Sequence, residues 1–232
     1  MDKEAETIVY YVENNLKKRL KDNYIGSYLN EISNNKLVNL KIAQKVGFLI
    51  PKTLITNSKR ELKKFINSFD KVITKDLRAP VYIRTKKKAY TSTGVEILDN
   101  GVLSKLNTYF APIFLQQYIE KQLELRVYIF REKIYSMAIF SQNDRKTSID
   151  FRNYNKERPN RAIPYKLPKL IESKIKEFMK ELDYKTGSID LILTPQNEHV
   201  FLEINPMGQF HWLSANCNYY IEKEIAKTLT NA

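Results

Sequence analysis

Cysteine is almost missing from this chain. Cys217 stands alone among 232 residues, which excludes an intrachain disulfide and fits a reducing, cytoplasmic setting. The two histidines, His199 and His211, are too isolated for a metal or triad arrangement and read as structural. No apolar run approaches the length of a membrane span. The first residues, Met1-Asp2-Lys3-Glu4-Ala5-Glu6, are charged, which excludes a secretory segment. Glycine is sparse, with 6 residues. Acidic residues are in deficit, 26 against 39 basic, and the net charge is +13. That excess implies anionic partners such as nucleotide, acidic peptide or nucleic acid. A solvated surface accounts for it equally, because the lysines are scattered along the whole chain. What is present in quantity is globular: 43% hydrophobic residues and enough length for one domain or two small lobes.

Alternating helical and extended segments follow one another. Residues 5–21 read as a helix with Ile8, Val9, Val12 and Leu16 on one stripe, and 22–34 as a connector. A helix from Lys36 to Val46 stops at Gly47. A short extended piece, Thr53 to Thr56, precedes a helix for which Ser58 and Glu61 make a capping box. Strands are expected at Lys71–Lys75, Val81–Thr85 and Tyr90–Leu98, then a helix over 101–109. Further strands are expected at Ile113–Ile119, Leu123–Arg131 and Lys133–Ser141. Residues 142–166 lack periodicity and are strongly basic. A helix over Lys169–Leu182, a hairpin and a last helix over 219–229 complete the chain.

The hairpin is the most informative stretch. Gly187–Leu193 and His199–Asn205 are apolar runs flanking the polar turn Pro195-Gln196-Asn197-Glu198. If the strands pair around that turn, Pro195 faces Glu198 and Asp190 faces Glu203. Asn205 leaves the same face two residues on. Opposed carboxylates repel, and burying them is costly without a positive partner. Asp190, Glu203 and Asn205 are hard oxygen ligands that suit Mg²⁺. The plain alternative is a strand pair with two edge carboxylates in water.

The order of these parts resembles the ATP-grasp superfamily. The carrying residues are Asn35-Lys36-Leu37 with Ile50-Pro51-Lys52-Thr53, Val72-Ile73-Thr74-Lys75, Gln116-Gln117-Tyr118-Ile119-Glu120-Lys121 and Leu202-Glu203-Ile204-Asn205-Pro206. A narrower resemblance is to the peptide-maturing ligases of the microviridin and grasp-with-spasm type. It rests on Glu124-Leu125-Arg126, Asp150-Phe151-Arg152, Gly187-Ser188-Ile189-Asp190 and the run from Phe201 to Phe210, and spans from about Asn35 to the end. It implies an α+β fold of two lobes with mainly antiparallel sheets clasping a nucleotide. The expected units are 1–34, a remnant of a pre-grasp region that is short or missing, 35–115 as the first lobe, and 116–232 as the second. The segment Lys86–Gly94 corresponds to the family's phosphate loop but holds one glycine, so lysines and hydroxyls stand in for backbone donors.

The resemblance also implies roles. Asp190, Glu203 and Asn205 would hold Mg²⁺, and Lys36 and Lys75 would sit near the phosphates of ATP. Arg126 and Arg152 would grip a phosphate or a substrate carboxylate. Backbone groups of Gln117, Tyr118 and Ile119 would meet adenine, with Glu120 or Lys121 reaching the ribose. The implied activity is ATP-dependent ligation of a carboxylate through an acyl phosphate, forming ω-ester or ω-amide cross-links in a precursor peptide rich in acidic, Ser, Thr or Lys residues. An alternative adds a free amino acid to a protein or metabolite carboxylate. A rival of another class is a non-catalytic basic module for acidic peptide or nucleic acid. The short N-terminal region leads to the expectation of apolar surface around residues 35–56 that a second copy or another chain covers.

Overall fold

The computed structural model describes residues 3–77, 82–85, 88–91, 94–98, 100–153 and 155–230. Helix α1 (Lys3–Leu20) opens the chain. Helix α2 (Tyr28–Ser33) then interrupts the expected connector, because Ser27 caps it by accepting from the Asn30 amide. Helix α3 (Lys36–Lys45) is capped by Asn35 and ends at Gly47, whose φ of +87° only glycine adopts freely. Next come β1 (Thr53–Ser58), α4 (Lys59–Asn67), β2 (Val72–Thr74), β3 (Tyr82–Arg84), β4 (Ala89–Thr91), β5 (Glu96–Leu98) and α5 (Asn100–Lys105). The second half runs β6 (Tyr109–Gln117), β7 (Leu123–Phe130), β8 (Lys133–Ile139), β9 (Ala162–Pro164), α6 (Lys169–Glu181), β10 (Thr186–Leu193), β11 (His199–Asn205), α7 (His211–Cys217) and α8 (Ile221–Thr230).

Two antiparallel sheets carry the architecture. One has the order β1-β6-β2-β5, the other β11-β10-β7-β8-β9, and β3-β4 forms a small ribbon. The first is backed by α4 and α5 through Leu62, Val72, Leu103 and Leu115. The second is covered on both faces. Leu125, Val127, Ile189, Leu191 and Phe201 meet α3 and α6 at Leu40, Ala43, Ile175 and Phe178. On the other face Tyr128, Phe130 and Met137 meet α7 and α8 at Leu213 and Ile221. Each fully buried large side chain contributes about 1.5–3 kcal/mol. The α+β class with two antiparallel sheets is thus as expected.

Four expectations change. The capping box at Ser58 does not form: Ser58 is the N-cap residue, but its side chain makes no cap hydrogen bond. It still belongs to β1, where its amide donates to Thr56 Oγ1, and Glu61 pairs with Arg60 and Lys64 instead. The expected last helix forms as α8, but an unexpected helix, α7, precedes it, and Asn218 and Tyr220 adopt left-handed φ values of 53° and 52° between the two. The long strand at 90–98 is the two short strands β4 and β5, with residues 92 and 93 outside the described residues, as are 81, 86 and 87 of the expected strand and phosphate loop. The helix at 5–21 forms, yet Ile8, Val12 and Leu16 are exposed.

The hairpin gives the expected pair by an unexpected route. Leu193 faces His199 and Leu191 faces Phe201, one residue out of the anticipated register. The turn is a three-residue loop, with Thr194 and Glu198 joined by backbone hydrogen bonding and Asn197 left-handed at φ 61°. A bulge between Asp190 and Leu191 on this pair then restores the register, so Asp190 does face Glu203 and Ser188 faces Asn205. Past Asn205 the chain folds back over β10 so closely that a Cβ on Gly208 would lie 2.5 Å from Ser188 Oγ and 2.6 Å from Ser188 N. Gly208→Ala is therefore expected to displace backbone and to destabilise the protein by about 1–3 kcal/mol, read as a lower urea midpoint.

Candidate functional site

A cleft lies between the two sheets and is lined by residues of both. The five-stranded sheet builds one wall by simple alternation. Glu124 and Arg126 of β7 and Asp190 and Ile192 of β10 leave one face, while their neighbours Leu125, Val127, Ile189 and Leu191 enter the core. Leu202 and Glu203 both line the cleft although they are consecutive, which is the local effect of the bulge. The opposite wall comes from β2 and β6, through Ile73, Lys75 and Gln116.

Among the described residues four cations gather around the two opposed carboxylates. Arg126 lies beside Asp190 across the β7–β10 ladder, and its Nη1 reaches both carboxylate oxygens at 2.8 and 2.9 Å. Lys36, in the first turn of α3, reaches Glu203 Oε2 at 3.3 Å and donates to the Asp76 carbonyl at 2.9 Å. Lys75, just past β2, reaches the same Glu203 oxygen at 3.6 Å. Arg152 closes a fork on Asp150 through Nε and Nη2 at 2.7–3.1 Å, half-exposed at the cleft edge. Its positive charge also acts on Asp190 and Glu203.

The protonation balance follows from burial against charge. Burial pushes Glu203 up, but Lys75, Lys36 and Arg152 outweigh it and hold the carboxyl at about 2. For Asp190 burial prevails over Arg126, with Glu203 pushing the same way, so its pKa is raised. Burial lowers the Lys75 ammonium, opposed by Glu203. One carboxylate is thus firmly ionised and its neighbour is raised, the pattern of two like charges sharing one site.

Among the described residues no group of three His, Cys, Asp or Glu is placed to hold a metal ion. The set proposed from sequence needs only two carboxylates, since its third member is an amide. Asn205 supports that set physically: its Oδ1 is buried and has no hydrogen-bond partner among the described residues. A buried acceptor left without a partner costs about 1–3 kcal/mol, so a bound cation is a fitting occupant. Mg²⁺ takes one or two carboxylates together with phosphate oxygens and water, and the donors here fit that habit.

The hinge differs from expectation. Gln117, Tyr118 and Ile119 line the cleft. The amides of Gln117 and Tyr118, however, donate to the Lys52 and Lys71 carbonyls at 2.9 and 3.0 Å. Sheet closure between β1, β6 and β2 consumes them, so neither amide is available to a base. Glu120 is exposed and does not line the cleft. Lys121 does line it, but its buried ammonium is held by Glu124 Oε1 at 2.9 Å and the Ile149 carbonyl at 2.8 Å. The carboxylate at this end of the cleft is Glu124, raised by burial against the pull of Lys121 and Ser141. Alternation from Arg126 was the signal for it, since residues two apart share a face. Gln116 was also missed: it lines the cleft at 1% exposure, and its Oε1 has no partner among the described residues. His199 contacts the Tyr165 hydroxyl at 3.3 Å, and burial pushes the Cys217 thiol up to about 11, so both are structural.

The chain is similar to solved structures of peptide-modifying ligases. An ATP-grasp ligase of Chryseobacterium gregarium, RiPP-associated and solved with ADP and a leader and core peptide, is 32% identical. The match has a TM-score of 0.74 and covers 84% of this chain and 57% of that one. The macrocyclase MdnC of Microcystis aeruginosa, bound with precursor peptide MdnA, is 35% identical, with a TM-score of 0.73 and coverage of 87% and 62%. The macrocyclase MdnB of the same organism is 29% identical, with a TM-score of 0.63 and coverage of 86% and 60%. The chain therefore spans about three-fifths of the length of these relatives. No protein-family model and no curated protein matches it.

The depressed pKa of Glu203 makes a signed prediction. Its ordinary value is 4.5 and its folded value about 2, so its stabilising contribution is complete above pH 4.5 and is lost as pH falls toward 2. Urea unfolding of wild type and Glu203→Gln should differ most near pH 7. The gap should narrow as pH drops below 4.5, and a constant gap would show that Glu203 is not held by these cations.

Proposed function

We propose that this chain, which has the ATP-grasp fold and resembles the microviridin-type peptide ligases, uses ATP to activate a carboxylate of a precursor peptide for ligation. The observation that carries the reading is the charge cluster at the cleft: two opposed, largely buried carboxylates with cations converging on them from four places among the described residues, and an orphaned amide oxygen two residues along the strand. A basic binding module has no use for that arrangement. Burying paired charges seldom repays their desolvation, and apolar replacements are often as stable.

The ligation needs activation because a carboxylate has oxide as its leaving group. Transfer of the γ-phosphoryl group of ATP to the side-chain carboxylate of an Asp or Glu yields ADP and an acyl phosphate. Attack by a Ser or Thr hydroxyl, or by a Lys amine, forms the ω-ester or ω-amide and expels phosphate, and the attacking group's proton leaves to water or a nearby base. Bound Mg²⁺ supplies charge neutralisation at the phosphates, and Asp190, Glu203 and Asn205 are the residues that would hold it. Lys36 and Lys75 now neutralise Glu203 and are placed to shift their charge toward an arriving phosphate. Arg126 keeps a buried Nε–H without a partner among the described residues, so its guanidinium has a donor to spare. Arg152, half-exposed, suits the γ-phosphate or the peptide carboxylate. Gln116 and Ile119 serve the base, and Glu124 with Lys121 serves the ribose end of the cleft. These contributions are positioning and electrostatic stabilisation, the main requirements of phosphoryl transfer.

The peptide partner follows from charge. Arg145, Lys146, Arg152, Lys156, Arg158, Arg161 and Lys166 lie within residues 142–166, against Asp144, Asp150 and Glu157. Lys121 and Ser141 tie this segment to Glu124 at the cleft wall. It suits an acidic peptide. Arg161 sits over the Phe140 ring and is partly structural, whereas Arg145 and Arg158 are exposed.

Three measurements test the proposal. With peptide, ATP and hydroxylamine, the activated carboxylate should appear as a hydroxamate, with ADP and phosphate released; AMP and pyrophosphate would sink the acyl-phosphate step. Glu203→Gln should cut ADP formation by about two orders of magnitude or more while the far-UV circular dichroism spectrum is retained. Reversing Arg145 and Arg158 together to Glu should weaken peptide binding, flatten its salt dependence and leave ATP affinity unchanged. Unaltered peptide binding at low salt, where attraction is strongest, would place the docking surface elsewhere.

A further inference from the structure

One polar side chain at the cleft has an end that its surroundings leave unused. Gln116 lies on β6, between β1 and β2, where it pairs with Thr53 on one side and with Ile73 on the other. It is 1% exposed, so close packing holds its side chain in place. Its Nε2 donates to Thr53 Oγ1 at 3.1 Å. Its Oε1 is buried without a partner among the described residues, although the residue lines the cleft.

A third group fixes the direction of that amide. Thr53 Oγ1 donates its one proton to the Pro51 carbonyl at 2.9 Å. A hydroxyl committed in this way can only accept from another neighbour. The NH2 end of Gln116 is therefore the end that faces Thr53, and a flipped amide would set two acceptors against each other. The oxygen is left for a ligand donor.

We propose that Thr53 is a positioning residue that holds the Gln116 amide oxygen as a specificity acceptor, which selects adenine, through its exocyclic amine, over purines that carry a carbonyl in that place. The proposal rests on the ligase reading for the presence of a nucleotide and deepens it by assigning what distinguishes one purine from another. The backbone gives the side chain this task, because the Gln117 and Tyr118 amides already donate to the Lys52 and Lys71 carbonyls. Ile73, the ladder neighbour of Gln116, and Ile192 and Leu202 of the other sheet offer apolar contact to a flat ring without reading its edge. An adenine amine donates to Oε1. A carbonyl there sets acceptor against acceptor and leaves Oε1 buried and unpaired, which a site built for a hydrogen bond rejects more strongly than a missing apolar contact.

Titration calorimetry of the full chain with ATP and with ITP, each with Mg²⁺ and without peptide, tests the assignment. ITP carries the carbonyl in place of the amine. The wild-type protein should bind ATP at least about tenfold more tightly than ITP. Gln116→Leu, close in size and apolar, should bring the two affinities together. Thr53→Val removes the acceptor that holds Nε2, frees the amide to turn its donor to the cleft, and should shift the preference toward ITP. Thr53→Ser keeps the hydroxyl and should keep the wild-type ratio, which a change of packing alone would not separate from Thr53→Val. A wild-type ratio retained in Gln116→Leu, or in Thr53→Val, would overturn the assignment of that residue. Equal binding of ATP and ITP by the wild-type protein would overturn the whole inference while the ligase reading stands, and binding of neither nucleotide would overturn both.

Discussion

Two negative charges forced to share one wall of a cleft organise this molecule. Asp190 and Glu203 are opposed across neighbouring strands, and each sits largely out of water. Neither could remain there alone, because an unpaired buried carboxylate is strongly disfavoured. Among the described residues the compensating cations come from four separate places: the first turn of α3, the end of β2, the middle of β7 and the segment between β8 and β9. The Lys75 link joins the four-stranded sheet to the five-stranded one. The relation between the two sheets therefore depends on electrostatics as well as on packing.

Much of this was legible in the chain because it rests on alternation. A strand presents every second side chain to one face, so Asp190, Arg126 and the strands that carry them could be placed from sequence. What escaped depends on competition for hydrogen bonds or on non-local neighbours. The Gln117 and Tyr118 amides are spent on carbonyls just ahead of two different strands, β1 and β2, which no local pattern announces. Glu124 and Glu120 are equivalent as residue types, and only the ladder with β10 turns the first toward the cleft and leaves the second in water. Ser58 and Glu61 have the spacing of a capping box, but β1 runs into α4 without a break and claims the serine backbone first.

The stripe on α1 shows the limit of amphipathic reasoning in another form. Periodicity identifies a face that is worth burying without identifying the surface that buries it. Here the helix is tethered by Glu13 and Lys17, polar residues off the stripe, and its apolar residues are left outward. The cleft, by contrast, is lined by the same residues that the strand pattern selects, since both walls belong to sheets whose other faces are filled.

The hairpin contains two irregularities that cancel. The loop at 195–197 is one residue longer than the tightest turn, and the bulge farther along takes up the difference. Either alone would rotate Glu203 by half a pleat, into the aliphatic core and away from Asp190. Insertions and deletions at the loop are therefore not neutral, although the loop itself touches nothing in the cleft. A change of length there is silent only when a matching change removes the bulge, so the two positions are bound to vary together or not at all.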